Sequence, residues 1–289
     1  MNIETYDKAL DYLLRSGINH ARLLGGEPTL HPDFSKFVLK ALDRNLVITL
    51  FTNGLMSDVT LDFLSSVPAG KLLVVLNTIQ PSENDSMGIE RQKAVMKKLG
   101  DVIIPGINIY SPKQDLNYLP EYITTYNLRK EIRLGISHSA LSRTNISLHP
   151  MEYHKIGLKI ARLKQTIEKE GIFLGFDCGF VPCMFPPEYH ALLAEELKKA
   201  GNCCFPVIDL LADGSFIACY PLNDLVKIKL DDQFDARALI ARFEEALRPY
   251  TNAGIYPYCT VCIQFKKLCN GGCISYRIQR FSDHLKYIE

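Results

Sequence analysis

Apolar residues recur along the first half of the chain in two alternating rhythms. Tyr6, Leu10, Leu13 and Leu14 fall on one face of a helix that ends near Gly17. Phe34, Phe37, Val38, Ala41 and Leu42 form a second helical stripe, and residues 60–65, 89–99 and 118–126 form shorter ones. Ile156, Ile160, Leu163 and Ile167 mark a longer helix. Between these stripes lie compact apolar runs at residues 21–24, 46–51, 72–76, 102–109, 132–136 and 172–176. Runs of that length without polar alternation predict strands buried on both faces. Strands alternating with helices predict βαβ units and a parallel sheet. In such repeats the chemistry sits at the C-terminal ends of the strands. Those ends here read Gly25-Gly26-Glu27, Thr52-Asn53, Asn77, Asn108 and Ser137-His138.

The rhythm breaks near residue 177. Residues 188–200 and 234–247 predict helices, and residues 207–220 predict a hairpin turning at Asp213-Gly214. The remainder is dense in cysteine and glycine. The chain therefore divides into a βα part, 1–177, and a smaller cysteine-rich part, 178–289.

Composition narrows the class. The 289 residues, 47% apolar and 22% charged, suit one large domain or a large one with a small companion. A net charge of +1 lacks the basic excess that nucleic-acid partners demand. No apolar run is long enough to span a membrane. The start of the chain carries Glu4, Asp7 and Asp11 where a secretory leader would be basic and then apolar. A cytoplasmic location follows as the expectation.

In a reducing compartment disulfides are rare, so nine cysteines confined to positions 178–273 point to metal. The strongest pattern is Cys259-x2-Cys262-x6-Cys269-x3-Cys273. Four thiolates suit tetrahedral zinc. They suit an iron–sulfur cluster equally well. Cys204 and Cys219 flank the predicted hairpin, whose turn brings them together. Cys203 adjoins Cys204, and strand neighbours point to opposite faces, so one of that pair is spare. Cys178 and Cys183 complete the inventory, leaving eight thiols, or two sets of four. At the other end of the chain, Gly25 and Gly26 permit close backbone approach to a ligand, and Glu27 is an acceptor for an amine. Asn53 also suits a turn and Asn77 a helix cap. Ser137 and His138 read as structural polar groups at a strand end.

Gly25-Gly26-Glu27-Pro28 at a strand end resembles the GGEP motif of radical S-adenosylmethionine enzymes. Residues 46–54, an apolar strand ending Thr-Asn-Gly, resemble that family's third strand. The segment from Asp213-Gly214 to Cys219, followed by the four-cysteine pattern, resembles the SPASM domain. The resemblance implies an α/β fold: a partial (βα)6 TIM-like barrel without its first strand, then a small iron–sulfur domain. It implies contacts to S-adenosylmethionine from Gly25, Gly26, Glu27 and Pro28, chiefly glycine carbonyls to the methionyl amine, and from Thr52, Asn53 and Asn77. It implies one or two auxiliary 4Fe–4S clusters. Cys259, Cys262 and Cys269 fall to one, and Cys204, Cys219 and Cys273 to the other, with Cys178 and Cys183 contested between them. The parent activity is an oxidoreductase-type reductive cleavage of S-adenosylmethionine, whose deoxyadenosyl radical modifies a peptide or other substrate. A flavodoxin- or ferredoxin-type donor would supply the electron.

The family's C-x3-C-x2-C motif, which holds the catalytic cluster, has no counterpart here, because no cysteine precedes Cys178. Only 24 residues precede Gly25, so the first strand and its loop are expected to lie upstream of Met1 in a longer protein. The apolar edge left on the following strand favours that expectation. The chain as given is expected not to cleave S-adenosylmethionine. The alternatives are a non-catalytic iron–sulfur or electron-transfer scaffold and, behind it, a zinc-stabilised binding domain.

Overall fold

The computed structural model describes residues 1–141, 144–201, 204, 206–231 and 235–285. Two positions used above, Cys203 and Phe234, lie outside the described residues.

All six apolar runs are strands: β1 (His20–Leu23), β2 (Val47–Thr52), β3 (Leu72–Asn77), β4 (Ile103–Ile109), β5 (Glu131–Ile136) and β6 (Phe173–Phe176). They form one sheet in simple chain order, β1 at one edge and β6 at the other. The pairs from β1 to β4 are parallel, with Leu23 opposite Leu50, Leu50 opposite Val74 and Val74 opposite Ile103. Beyond β4 the hydrogen bonds advance in the same sense: Arg129 N–H to Ile103, Ser137 N–H to Ile109, Phe173 N–H to Lys130 and Asp177 N–H to Leu134. A doubly wound sheet reverses its strand order at a switch point; this one never reverses, as in a TIM-type barrel. Ile48, Leu50, Val74 and Leu76 are wholly buried, as parallel strands under helices require.

Three of the helices begin two or three residues before their apolar stripes, where a polar N-cap recruits the extra residues. They are α1 (Ile3–Arg15), α2 (Phe34–Asp43), α3 (Asp58–Ser65), α4 (Ser86–Leu99), α5 (Tyr118–Tyr126) and α6 (Tyr153–Ile167). Asn2 caps α1 by accepting from the Thr5 N–H at 2.8 Å, and Ser57 and Asp85 cap α3 and α4 likewise. Tyr6 of α1 stacks on Phe37 of α2 at 4.5 Å. Asp7 pairs with Lys40 and Arg44 at 2.9 and 3.1 Å, closing the same contact at its rim.

The chain divides into two compact units. The first comprises Met1–Ile107, Asp115–Arg133 and Ile167–Phe173; the second comprises Asn108–Gln114, Leu134–Thr166 and Leu174–Glu289. The second holds α7 (Ala194–Gly201), a small antiparallel sheet of β7 (Asp209–Leu210), β8 (Ser215–Ile217) and β9 (Lys227–Lys229), α8 (Ala236–Leu247) and α9 (Ile274–Leu285). The hairpin at Asp213-Gly214 is present. The predicted helix over 188–200 is shorter and starts at Ala194. Pro186 and Pro187 instead begin a tight turn, in which Tyr189 and His190 donate three residues back. β9 escaped prediction because Lys227-Ile228-Lys229 is too short to show alternation. α9 was hidden by the cysteine and glycine density just before it. Among the described residues, no helix is long and apolar enough to cross a membrane.

Candidate functional site

Two clusters of the predicted residues can be followed, one in each unit. In the first unit the backbone leaves β1 and turns through Gly25 (φ +96°) and Gly26 (φ +56°), conformations that only glycine adopts at little cost. Nothing lies within 4 Å of where a Cβ on either would stand, so the turn exposes bare backbone. Glu27 follows, and its carboxylate turns back into the protein. Oε1 accepts from the Thr29 N–H (3.2 Å), the Thr29 hydroxyl (2.6 Å) and the Thr52 hydroxyl (2.7 Å); Oε2 accepts from the Asn53 N–H (2.7 Å). Pro28 then opens a single 3₁₀ turn that Glu27 caps. Glu27 therefore ties the end of β1 to the end of β2, and three of its four bonds load one oxygen.

The other rim residues are equally engaged. The buried Thr52 hydroxyl accepts from the Gly54 N–H at 3.0 Å. The Asn53 side chain accepts from the Leu55 N–H at 2.9 Å, a turn role. Asn77 caps no helix; its Oδ1 accepts from Arg133 Nη1 at 3.0 Å. Gln92 of α4, almost fully buried, donates from Nε2 to the carbonyls of Asn53 (2.6 Å) and Asn77 (2.9 Å). Its Oε1 accepts from the Ile79 N–H at 2.9 Å. Gln92 and Arg133 were not singled out from the sequence. Each had one signal, a polar residue on an otherwise apolar helical face or strand. The result is a rim whose side-chain acceptors are engaged internally while the backbone of the two glycines stands exposed.

In the second unit the eight described cysteines are free thiols. Burial pushes the Cys183 thiol up to about 12, although the residue as a whole is exposed; Cys269, Cys259 and Cys262 push it further in the same direction. Cys269 is raised in turn by burial, with Cys259 and Cys262 adding to it. Cys219 is raised by burial first, then by Cys273, Cys178 and Cys204. The thiols thus fall within electrostatic reach in two groups of four. One is Cys183, Cys259, Cys262 and Cys269; the other is Cys178, Cys204, Cys219 and Cys273. Cys178 and Cys183, five residues apart, go to different groups. Among the described residues, no three His, Cys, Asp or Glu side chains converge closely enough for a single metal ion.

The loop between Cys259 and Cys273 is set by its backbone. Cys262 N–H donates to Cys259, Phe265 N–H to Cys262, and Lys266 N–H to Cys269, at 3.1, 3.0 and 2.8 Å. The Gly271 N–H donates to the Cys269 sulfur at 3.3 Å. A Cβ on Gly254 would stand 2.4 Å from the Cys259 sulfur, so the loop closes only over a glycine. The structural reading of the two strand-end residues is what the second unit displays. Ser137 donates its hydroxyl to Ile146, and the His138 ring donates from Nε2 to the Cys178 carbonyl at 3.2 Å.

No protein-family model matches the sequence, and no curated protein matches it. Solved structures match the fold. The structure of Streptococcus suis SuiB aligns with a TM-score of 0.68 at 15% identity, over 96% of this chain and 67% of SuiB. SuiB bound to precursor peptide SuiA gives 0.69 at 14% identity, over 96% of this chain and 66% of that one. anSMEcpe with bound AdoMet gives 0.67 at 19% identity, over 99% of this chain and 88% of that one. At these identities the shared property is the fold, and this chain has it over nearly its whole length.

Proposed function

We propose that this chain is a radical S-adenosylmethionine family protein with a SPASM-type domain, whose first unit seats S-adenosylmethionine and whose second holds two auxiliary 4Fe–4S clusters. The observation that carries the reading is the division of eight thiols into two groups of four. Cys183, Cys259, Cys262 and Cys269 would hold one cluster; Cys178, Cys204, Cys219 and Cys273 would hold the other. Thiolates on one zinc ion crowd about a common point with bonds of ~2.3 Å. A cubane also takes four thiolates, held farther apart. When bound, such clusters store and pass single electrons.

At the first site, the open carbonyls of Gly25 and Gly26 would take the methionyl ammonium. Glu27, Thr52 and Gln92 keep that turn in place, and Asn53 and Asn77 line the rim beside it. S-adenosylmethionine as ligand is supported by the AdoMet-bound anSMEcpe neighbour, and a peptide substrate by the SuiB complex with SuiA. The parent reaction is reductive cleavage of S-adenosylmethionine, fed by a flavodoxin- or ferredoxin-type donor in the cytoplasm. A second reading has its own observation. Residues 1–177 contain no cysteine. These 289 residues therefore offer no thiolates for the cluster that cleaves the cofactor, and by themselves would act as an iron–sulfur or electron-transfer scaffold.

The test is anaerobic reconstitution followed by iron, sulfide and zinc analysis. The expected result is about eight iron and eight sulfide per chain, four of each per cluster. Uptake of zinc alone would refute the cluster assignment. Reductant with S-adenosylmethionine should give no 5′-deoxyadenosine from residues 1–289; turnover by them would overturn the second reading.

A further inference from the structure

We infer that Arg277 is a shared positioning residue for both thiol groups, fixing the loop that carries them and raising the reduction potentials of both clusters together. The inference rests on the reading that the two groups hold clusters. Arg277 lies in the first turn of α9 and is only 2% exposed. A guanidinium brings five donors and a permanent charge into the interior, and both need partners. Its Nη groups donate to the carbonyls of Tyr250 (3.5 Å), Asn270 and Gly272. The last two flank Gly271 in the Cys269–Cys273 loop. These acceptors are neutral, so they order the loop without balancing the charge. Nε–H is buried and has no hydrogen-bond partner.

Beyond these carbonyls, thiols of both groups lie within electrostatic reach of the charge. Burial lowers the pKa of Arg277, and Cys204, Cys273, Cys269 and Cys259 act to restore it. Two of these belong to each group of four. With clusters bound, this orphaned donor would find its acceptor in cluster sulfide, since among the described residues no cysteine sulfur stands within hydrogen-bond reach of it. Hydrogen bonds to sulfur and nearby charge are the established levers on cluster potential. Reduction adds an electron to an already anionic cluster, so a fixed cation favours the reduced form and raises the potential. Because Arg277 reaches both groups, the two potentials should move together.

The experiment is a redox titration of the reconstituted chain, followed by electron paramagnetic resonance, for the wild type, Arg277→Gln and Arg277→Lys. Gln removes the charge and keeps a donor; Lys keeps the charge and loses the planar fork. With Gln, both clusters should load and the reduced-to-oxidised ratio at fixed potential should fall about tenfold at each, ~59 mV for a one-electron couple. Lys should stay within about threefold of the wild type, by the same conversion. An unchanged potential at either cluster in Arg277→Gln overturns the inference. Loss of iron from both variants also overturns it, since Arg277 would then be purely architectural. Failure of the wild type to bind iron and sulfide would instead sink the cluster assignment itself, so the two failures are distinct.

Discussion

Glu27 shows how one carboxylate can hold two strand ends together at the rim of a sheet. It accepts four hydrogen bonds that join the ends of β1 and β2. Bonds to a charged group are worth ~1.5–3 kcal/mol each but do not add fully. Glu27→Ala should therefore cost about 3 kcal/mol in urea unfolding, and Thr52→Val, which removes one of these bonds and strands the Gly54 N–H, about 2–3 kcal/mol. If Glu27 preorganises Gly25-Gly26, Glu27→Ala should also weaken S-adenosylmethionine binding in equilibrium dialysis. Gly54 supplies a separate check. It sits at φ +74°, and a Cβ there would meet Leu76 Cδ1 at 2.7 Å. Gly54→Ala should lose ~1–3 kcal/mol through combined strain and overpacking. The motif containing Glu27 was legible in the sequence. Its partners were not, because Thr52 and Asn53 lie 25 and 26 residues away and only the parallel register brings them near.

At the scale of elements, the apolar rhythm located every strand of the large sheet and set helix faces well, but it misjudged the segments where few residues speak. The start of α7 is one such case, decided by Pro186-Pro187 rather than by periodicity. α7 is also held by a contact the sequence does not announce. Lys164 of α6 and Glu196 of α7 pair at 2.8 Å, with the Glu196 side chain almost wholly buried. Breaking a buried pair strands a charge, whereas replacing both partners by apolar groups does not. Glu196→Ala alone should destabilise by ~3–5 kcal/mol, while the Lys164→Met, Glu196→Leu double variant should lose far less. A double-mutant cycle by urea denaturation measures the coupling.

At the scale of the whole molecule, metal should matter unevenly. Neighbouring thiols are poor partners for one another until a metal neutralises them, so on the proposed reading cluster binding and the order of the second unit are linked. Reconstitution should raise the unfolding midpoint, and a chelator should reverse the gain. Hydrogen exchange should slow chiefly within residues 174–285, where the thiols and α9 lie. Uniform slowing along the chain, or none, would argue against thiol groups as the point of attachment.

The sequence by itself determined the fold class, the strand-end positions of Gly25-Gly26, Thr52-Asn53 and Asn77, and the confinement of cysteine to one part of the chain. These are properties of local spacing, and hydrophobic periodicity and turn chemistry act locally. Tertiary structure decided what depends on residues far apart: the clasp of Glu27, the service of Gln92 and Arg133 to the rim, and the parting of Cys178 from Cys183. It also decided the place of Arg277. In the sequence it is one basic residue of an unremarked segment. Buried between two groups of thiols with a donor unspent, it carries a charge whose partner only the folded chain can reveal.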